Sequence, residues 1–573
     1  MVMEYVALVE VYDRLAATNS TDAKRDCLAD LFADAGPLLS RLVTLVRGRL
    51  SPAYDRTELG VSSSLTLEAV CRATGAVESS VRDRWQETGD LGDAAAWASE
   101  HGGQQTLFSK PLTVERVHDT LRELATYEGA GSQDRKVDAV AGLLADADPD
   151  EARYVVRTAL GHMRVGVGEG TVRDAIAVAF LDGSDDAVDA VERAYQVTTD
   201  FRVVAETARN GGVDGLAGLD IRPGRPVQVM LAEKADSPAA AVADAAADGA
   251  VVCEYKYDGI RIQIHVDGGD VWLFTRRLEA VTDQFPDVVR AIRAGVTAER
   301  AVLDGELVGY TPETVATDAR EPVAFQTLSR RVKRETDVEV LAREVPTVVH
   351  LFDCVATDRT LLDSPLSARR DRCADVVAPV APDPDQGRAG VELARSRRVA
   401  ADDPDAAAAF YRDALEAGHE GLMVKNPAAS YQPGRRVGRL LKLKPTMEPL
   451  DLVVTRATYS EGRRSEWLGR LYLGCYDADA DAFREVGRLS TGYTDEELAA
   501  LTDRLEDLVT ARDGRDVELR PKVVVAVEYE EIQESTAYDS GYALRFPRFL
   551  EVRGTLSPTD ADTIGRVESL YDR

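Results

Sequence analysis

The hydrophobic period of this chain changes near residue 220, and that change decides what it can fold into. Up to about residue 215 apolar side chains recur at helical spacing, as in "RKVDAVAGLLADA" and "EARYVVRTALGHM", with glycine and Asp/Ser breaks between segments. In "IRPGRPVQVMLAE" (Ile221 to Glu233) two prolines and a glycine interrupt helix, and period-two alternation follows. A helical stripe does not serve as a strand face, so an all-α domain over 1–220 is expected, then an α+β domain over 221–446. The second domain carries strand-like runs such as "RIQIHV", "RAVLDGELVGY" and "HEGLMVKN". Pro445 and Pro449 bracket the next connector. The segment 447–573 alternates strands with one helix, "TDEELAALTDRLEDLVTA", whose Thr494 and Glu497 form a capping box. Its size and order suit a small β-barrel of the OB type. A chain of 573 residues has room for roughly two to four such domains.

The formal charge is −30 while 45% of residues are hydrophobic, which describes a folded protein with an acidic skin. Of 69 basic residues only ten are lysine, and Asp-rich runs such as "DADADAF" recur. This is the composition of a protein adapted to concentrated salt. At molar ionic strength the Debye length is about 3 Å, so an acidic surface repels a polyanion little. Acidity therefore does not exclude nucleic acid here. Six cysteines without a Cys-x-x-Cys pair argue against structural zinc and a disulfide framework, and suit a reducing cytoplasm. Six histidines show no ligand spacing and read as structural. The start "MVMEYVALVEVYDRL" carries acids at Glu4, Glu10 and Asp13, unlike a signal or transit peptide. No apolar run is long enough for a membrane span.

In a chain that has nearly abandoned lysine, "CEYKYDGIRIQIH" (Cys253 to His265) keeps one amid buried β-structure. Alternation puts Glu254 and Lys256 on one strand face. Tyr257-Asp258-Gly259 reads as a turn, after which Ile260, Ile262, Ile264 and Val266 line one side of a returning strand, with Arg261 and Gln263 on the other. Lys256 is thus expected at a hairpin mouth. Downstream, Asp304 and Glu306 share a strand face, "HEGLMVKN" offers Glu420 and Lys425, and "GRRVGRLLKLKP" offers Arg436, Arg439, Lys442 and Lys444. Loss of lysine from exposed positions spares those that chemistry needs. Arginine stays protonated at any working pH, whereas an ammonium can lose its proton and become a nucleophile. Each unit of depression from about 10.4 takes about 1.4 kcal/mol, which neighbouring cations or a divalent metal can supply.

These segments resemble the motifs of the covalent nucleotidyltransferases, and within them the ATP-dependent polynucleotide ligases of archaeal and eukaryotic replicative type. "KYDGIR" is similar to the motif whose lysine, here Lys256, attacks the α-phosphate of ATP. "WLFTRRLEAVTDQFPD" resembles the next, with Arg276 in the position that touches nucleotide or nicked strand. "LDGELV" resembles the acidic motif through Glu306, and "HLFDCV" the motif whose aromatic, here Phe352, stacks on the base. "EGLMVK" corresponds through Glu420 and Lys425, and "LLKLKP" through Lys442 and Lys444. "YALRFPRF" resembles the last motif, where Arg545 and Arg548 would orient the β- and γ-phosphates. The resemblance extends to "TGDLGDAA" and "RVGVGEGTVRDAIAVAF", which look like parts of the family's helical DNA-binding domain; there "VGVGEGTV" would turn backbone amides toward duplex phosphates. Leucine stands where the family commonly has tryptophan before Lys442, and the flank of the last motif is unusually acidic.

The resemblance implies an adenylation domain and an OB-fold behind a DNA-binding domain, ATP and Mg²⁺ or Mn²⁺ as cofactors, and nicked duplex DNA as substrate. It implies Glu306 and Glu420 as metal ligands, because hard carboxylate oxygens suit Mg²⁺. Glu254 would lie by the adenine pocket, Arg261 by the ribose or the DNA end, and Arg436 in the nucleotide-binding set. The basic runs "SRRVKR" (Ser329 to Arg334) and "GRRVGR" (Gly434 to Arg439) would meet DNA phosphate. A monomer that engages a sliding clamp completes the expectation. RNA ligase or capping guanylyltransferase chemistry is the nearest alternative, opposed by the long helical N-terminus. A NAD-dependent ligase would bring a zinc cysteine cluster that is absent from the sequence. A non-catalytic DNA-end binding protein would have lost a charged motif residue, and none is missing.

Overall fold

A computed structural model of the chain describes residues 3–55, 59–103, 110–246, 249–332, 334, 336–445, 447–460, 464 and 466–571. From Tyr5–Ala16 to Phe201–Ala217 the described chain is helical. The first helix shows why: Tyr5, Leu8, Tyr12 and Leu15 recur at three- and four-residue steps and are all buried. Each such side chain contributes roughly 1.5–3 kcal/mol on burial. Caps set the ends. Asp148 and Glu151 form a reciprocal capping box with Pro149 in the first turn of the helix Pro149–Ala159. Asp90, Thr113, Ser184 and Asp200 each accept a backbone N–H at other helix starts. These helices enclose one apolar core running from Tyr5 to Leu216.

The chain divides into two compact units, Met1–Lys444 and Pro445–Arg573. In the first, two five-stranded sheets follow the helices. The strands are β1 (Leu231–Lys234), β2 (Ala250–Lys256), β3 (Ile260–Asp267), β4 (Asp270–Thr275), β5 (Arg300–Gly309), β6 (Thr347–Ala356), β7 (Gly390–Leu393), β8 (Ser396–Ala400), β9 (Gly421–Lys425) and β10 (Arg436–Leu443). One sheet has the order β1-β10-β9-β2-β8 and the other β4-β3-β5-β6-β7.

The expected hairpin at Lys256 is therefore not a hairpin. β2 pairs with β8 and β9, while β3 pairs with β4 and β5, so Tyr257-Asp258-Gly259 carries the chain from one sheet into the other. Alternation encodes which face of a strand is buried and says nothing about its partner. Gly259 is required at the crossing because a Cβ there would lie 2.4 Å from the Leu307 carbonyl oxygen. The chain recrosses between β7 and β8, and the two crossings are tied together: Arg395 N–H donates to Tyr257 Oη at 2.9 Å and Tyr255 N–H to the Arg395 carbonyl at 3.1 Å.

The two faces of β3 have separate duties. Ile260, Ile262, Ile264 and Val266 enter the apolar core beneath their sheet. Arg261, Gln263 and His265 grip the connector from the helices. Arg261 Nη1 donates to the Met230 carbonyl at 2.7 Å, Gln263 Oε1 accepts the Val227 N–H at 2.7 Å, and His265 Nδ1 accepts the Gly224 N–H at 3.2 Å. On the helical side Thr199 Oγ1 donates to the Pro226 carbonyl at 2.9 Å.

The second unit holds β11 (Leu450–Thr458), β12 (Arg470–Asp477), β13 (Ala482–Leu489), β14 (Val509–Asp513), β15 (Asp516–Leu519), β16 (Val524–Glu528), β17 (Glu531–Glu534), β18 (Tyr542–Arg545) and β19 (Arg548–Val552). β11 is shared: its first half pairs with β16, its second half with β15, and its other edge with β12. The resulting seven-stranded sheet curves around one core, and no ladder among the described residues closes it into a complete barrel. The Thr494/Glu497 capping box starts the helix Asp495–Glu506 as expected. A second helix, Ile564–Tyr571, packs Val567 and Leu570 into the same core, where the sequence reading had one. No helix among the described residues is long and apolar enough to cross a membrane.

Candidate active site

Lys256 ends β2, where the chain leaves one sheet for the other. In the β2/β9 ladder it faces Gly421, and Glu420 N–H donates to its carbonyl at 2.9 Å. That pairing brings Glu420 beside it. The Lys256 ammonium donates to one oxygen of Glu420, and Lys444 Nζ donates to the other at 3.0 Å. Gly421 permits the close packing: its φ is +140° and a Cβ would lie 2.2 Å from the Leu443 carbonyl oxygen. Burial pushes the Glu420 carboxyl up, but the two ammonium groups override it and hold it below its ordinary value.

Glu306 arrives from β5, opposite Arg261 in the β3/β5 ladder. Burial pushes its carboxyl up to about 8 against the pull of Lys256 and Arg261, with Glu420 and Asp304 adding repulsion. Arg261 is not open to solvent contacts along its whole fork: Nε and Nη2 bind the two Asp304 oxygens at 3.1 and 2.5 Å, and Tyr431 Oη donates to Asp304 at 3.0 Å. Arg261 also lies 5.6 Å from the centroid of the Phe352 ring.

Glu254 sits two residues before Lys256 on the same face, as alternation predicts. Only 2% exposed, it is held by Lys425 from β9 and by Arg370 from the helix Leu366–Val376. Lys425 Nζ lies 4.5 Å from the Phe352 ring centroid. Burial, with the neighbouring Arg370 guanidinium, lowers the Lys425 ammonium to about 7. The structure thus brings Glu254, Lys256, Arg261, Glu306, Phe352, Glu420, Lys425 and Lys444 together. Among the described residues no cluster of three or more His, Cys, Asp or Glu side chains is placed to hold a metal ion.

Lys442 lies on β10 opposite Lys234 and Met423, and Lys444 follows just past the end of the strand. Arg276 is exposed just past β4. Arg436 lines a cavity of about 540 Å³ with Glu233, Asp244, Asn426 and Arg439. Arg545 and Arg548 belong to the other unit, where Arg545 pairs with Glu531 at 2.9 Å and lies 5.3 Å from the Phe546 ring centroid. Arg548 is exposed on β19.

The basic runs need correction as uniform DNA-contacting surfaces. Arg331 is 1% exposed, bidentate on equally buried Asp287, and 4.6 Å from the Phe285 ring centroid. It is a core ion pair. Lys333 of the same run lies outside the described residues. In the other run, Arg435 pairs with Glu192 at 3.2 Å and approaches Asp189, both on the helix Asp185–Thr198. Sequence reasoning missed Arg369 and Arg370, because "DSPLSARRD" carries no spacing signal, and Asp353 and Tyr431, whose partners are distant in sequence. It also missed Tyr257, which stacks on His350 at 4.1 Å beside Lys256.

Three family models match the chain in order: the DNA ligase N terminus over residues 4–177, the ATP dependent DNA ligase domain over 229–444 and the ATP dependent DNA ligase C terminal region over 464–555. The DNA ligase of Thermococcus onnurineus is 40% identical over 572 residues, 100% of this chain and 98% of that protein. The DNA ligase of Haloferax volcanii is 43% identical over 582 residues, 95% of each. Among solved structures, Pmar-Lig_PreS3 shares the fold with a TM-score of 0.58 at 17% identity, covering 95% of this chain and 99% of that one. With 40% and 43% identity to two DNA ligases over 95% or more of its length, and matches along all three of its segments, the chain belongs to the ATP-dependent DNA ligase family.

Proposed function

We propose that Lys256 is the nucleophile of this ligase and that the cleft around it binds ATP. The observation that carries the reading is the pairing of Lys256 and Lys444 on one carboxylate, Glu420, in a chain with only ten lysines. Lys256 attacks the α-phosphate, forming a phosphoramidate with AMP as pyrophosphate leaves. AMP then passes to the 5′-phosphate of a nick, and the 3′-hydroxyl attacks that adenylated end, releasing AMP. Each step builds negative charge on phosphate oxygens, so fixed cations are the main catalytic resource. Lys425, Lys442 and Lys444 supply them here. Phe352 stacks on the base with Glu254 beside it, and Arg261, Arg276 and Arg436 serve ribose, nucleotide phosphate or DNA end. Arg545 and Arg548 serve the β- and γ-phosphates, a role that rests on the motif alone.

Glu306 and Glu420 are the proposed holders of Mg²⁺ or Mn²⁺. A hard cation of this type takes one or two carboxylates and completes its shell with water and substrate phosphate, so two acids without a third fit it. The desolvation of Glu306 supports the same reading, since a carboxyl raised to about 8 is one that a nearby cation would ionise. Bound there, the ion would neutralise charge on the phosphate oxygens.

The functional division proposed is a DNA-binding domain over 1–220, an adenylation domain over 221–446 and an OB-fold domain over 447–573. The substrate is nicked duplex DNA in replication, repair and recombination, acted on by a cytoplasmic monomer that can engage a sliding clamp. The acidic, lysine-poor composition supports work in concentrated salt. The test is incubation with ATP radiolabelled at the α-phosphate, a divalent metal and high salt, followed by a denaturing gel. A labelled band that nicked DNA discharges, absent from Lys256→Arg, is the expected result. Label from GTP in place of ATP would indicate capping-type chemistry, and label retained by Lys256→Arg would place the nucleophile elsewhere.

A further inference from the structure

Arg370 has no counterpart among the motif residues, yet it ion-pairs with the buried Glu254 beside Lys256. Its helix is anchored by the preceding residue. Arg369 binds Asp353 through Nε and Nη2 at 2.8 and 3.0 Å and the Ser364 and Ala429 carbonyls through Nη1 at 2.7 and 3.0 Å. Asp353 directly follows Phe352, so the anchor and the aromatic face share one strand. From this fixed base Arg370 reaches Glu254 with Nη1 and donates from Nη2 to Ser396 Oγ at 2.7 Å. Ser396 is the cross-strand partner of Glu254 in the β2/β8 ladder. The guanidinium fork therefore spans one ladder rung, with the hydroxyl setting its angle and the carboxylate receiving its charge.

We propose that Arg370 is a positioning residue for base selection, holding Glu254 ionised and oriented so that it accepts the exocyclic amine of adenine. An ionised carboxylate has only acceptors and about four lone-pair sites, so two cations leave room for one more donor. A 6-amino group supplies that donor, whereas a 6-oxo group would face the carboxylate with another acceptor. Sites built to bind a donor reject analogues without it far more strongly than apolar pockets reject isosteres. Arg370 supplies the second charge from a different element than Lys425, and a guanidinium stays protonated at any working pH. Deleting one partner of a buried ion pair leaves the carboxylate free to turn or protonate.

The inference rests on the reading that the base stacks on Phe352 beside Glu254, and the experiment separates the two. Self-adenylylation rates would be measured against ATP and inosine triphosphate for the wild type, Arg370→Met, Ser396→Ala and Glu254→Gln. In Arg370→Met the half-saturating ATP concentration is expected to rise about tenfold and the ATP-to-inosine preference to fall about tenfold, with the saturated rate within about threefold. Ser396→Ala keeps every charge and is expected to shift the preference in the same direction by a smaller factor; it decides the matter if Arg370→Met does not fold. A preference lost in Glu254→Gln but unchanged in both other variants overturns the role of Arg370. A preference unchanged in Glu254→Gln overturns the pocket reading itself.

Discussion

The Lys24 ammonium donates to the Val165 carbonyl at 2.7 Å, joining the helix Thr21–Ala33 to a loop 141 residues away. It also donates to the Gly166 carbonyl at 3.3 Å and is itself 9% exposed. The loop it secures contains Arg164 and Gly166 at positive φ and leads into the helix Glu169–Phe180. This is the segment proposed to meet duplex phosphate, and Lys24 turns its carbonyls inward. Lys24→Met is expected to raise the half-saturating concentration of nicked DNA about three- to tenfold. Self-labelling with ATP in the absence of DNA should be unchanged. A parallel fall in both would make Lys24 a general stabiliser only.

Glu420 is the hub of the lysine pair. Glu420→Gln keeps the shape of the side chain and removes the charge that both ammonium groups share. Adenylylation is expected to slow by about a hundredfold or more, the scale seen when one preorganised polar group is removed from an active site. Single-turnover labelling measures it, and a rate within a factor of three of wild type would remove Glu420 from the machinery.

Arg331 and Asp287 form a buried ion pair. Removing one partner, as in Asp287→Ala, strands a charge and is expected to cost about 3–5 kcal/mol. Replacing both, as in Arg331→Met with Asp287→Leu, is expected to recover most of that loss. Urea unfolding of the two variants and of the double variant checks this. Weakened DNA binding in Arg331→Met at unchanged stability would contradict the assignment to the core.

His265 links stability to pH. Burial lowers its imidazole from 6.5 to about 3. Nδ1 accepts the Gly224 N–H, so the ring proton is on Nε2, which donates to Gln263 Oε1 at 2.9 Å. Below pH 6.5 the unfolded chain binds a proton that the folded chain refuses, so stability falls as pH drops from 6.5 toward 3. At pH 5 the loss from this residue is about 2 kcal/mol. His265→Asn, which can still accept from Gly224, should flatten that part of the profile in denaturant unfolding at pH 5 and pH 7. An identical slope in the variant would assign the acid sensitivity to other groups.

The sequence by itself determined what depends on residues close along the chain. Helical stripes and their Ser, Thr and Asp caps, the Thr494/Glu497 box, and the common face of Glu254 and Lys256 follow from period and local hydrogen bonding. The motif order named the family, and eight of the residues it singled out meet in one cluster of contacts. Tertiary structure decided everything that needs a partner distant in sequence. Strand alternation could not tell that β2 and β3 part into different sheets, because the identity of a strand's neighbour is a property of both strands. Nor could it tell that Arg331 is buried on Asp287 while Arg370 pairs with Glu254, since an arginine reads alike in sequence whether it meets solvent, a core carboxylate or one beside Lys256. Desolvation is set by the packed surroundings, and for that reason the raised Glu306 carboxyl and the lowered Lys425 ammonium belong to the fold alone.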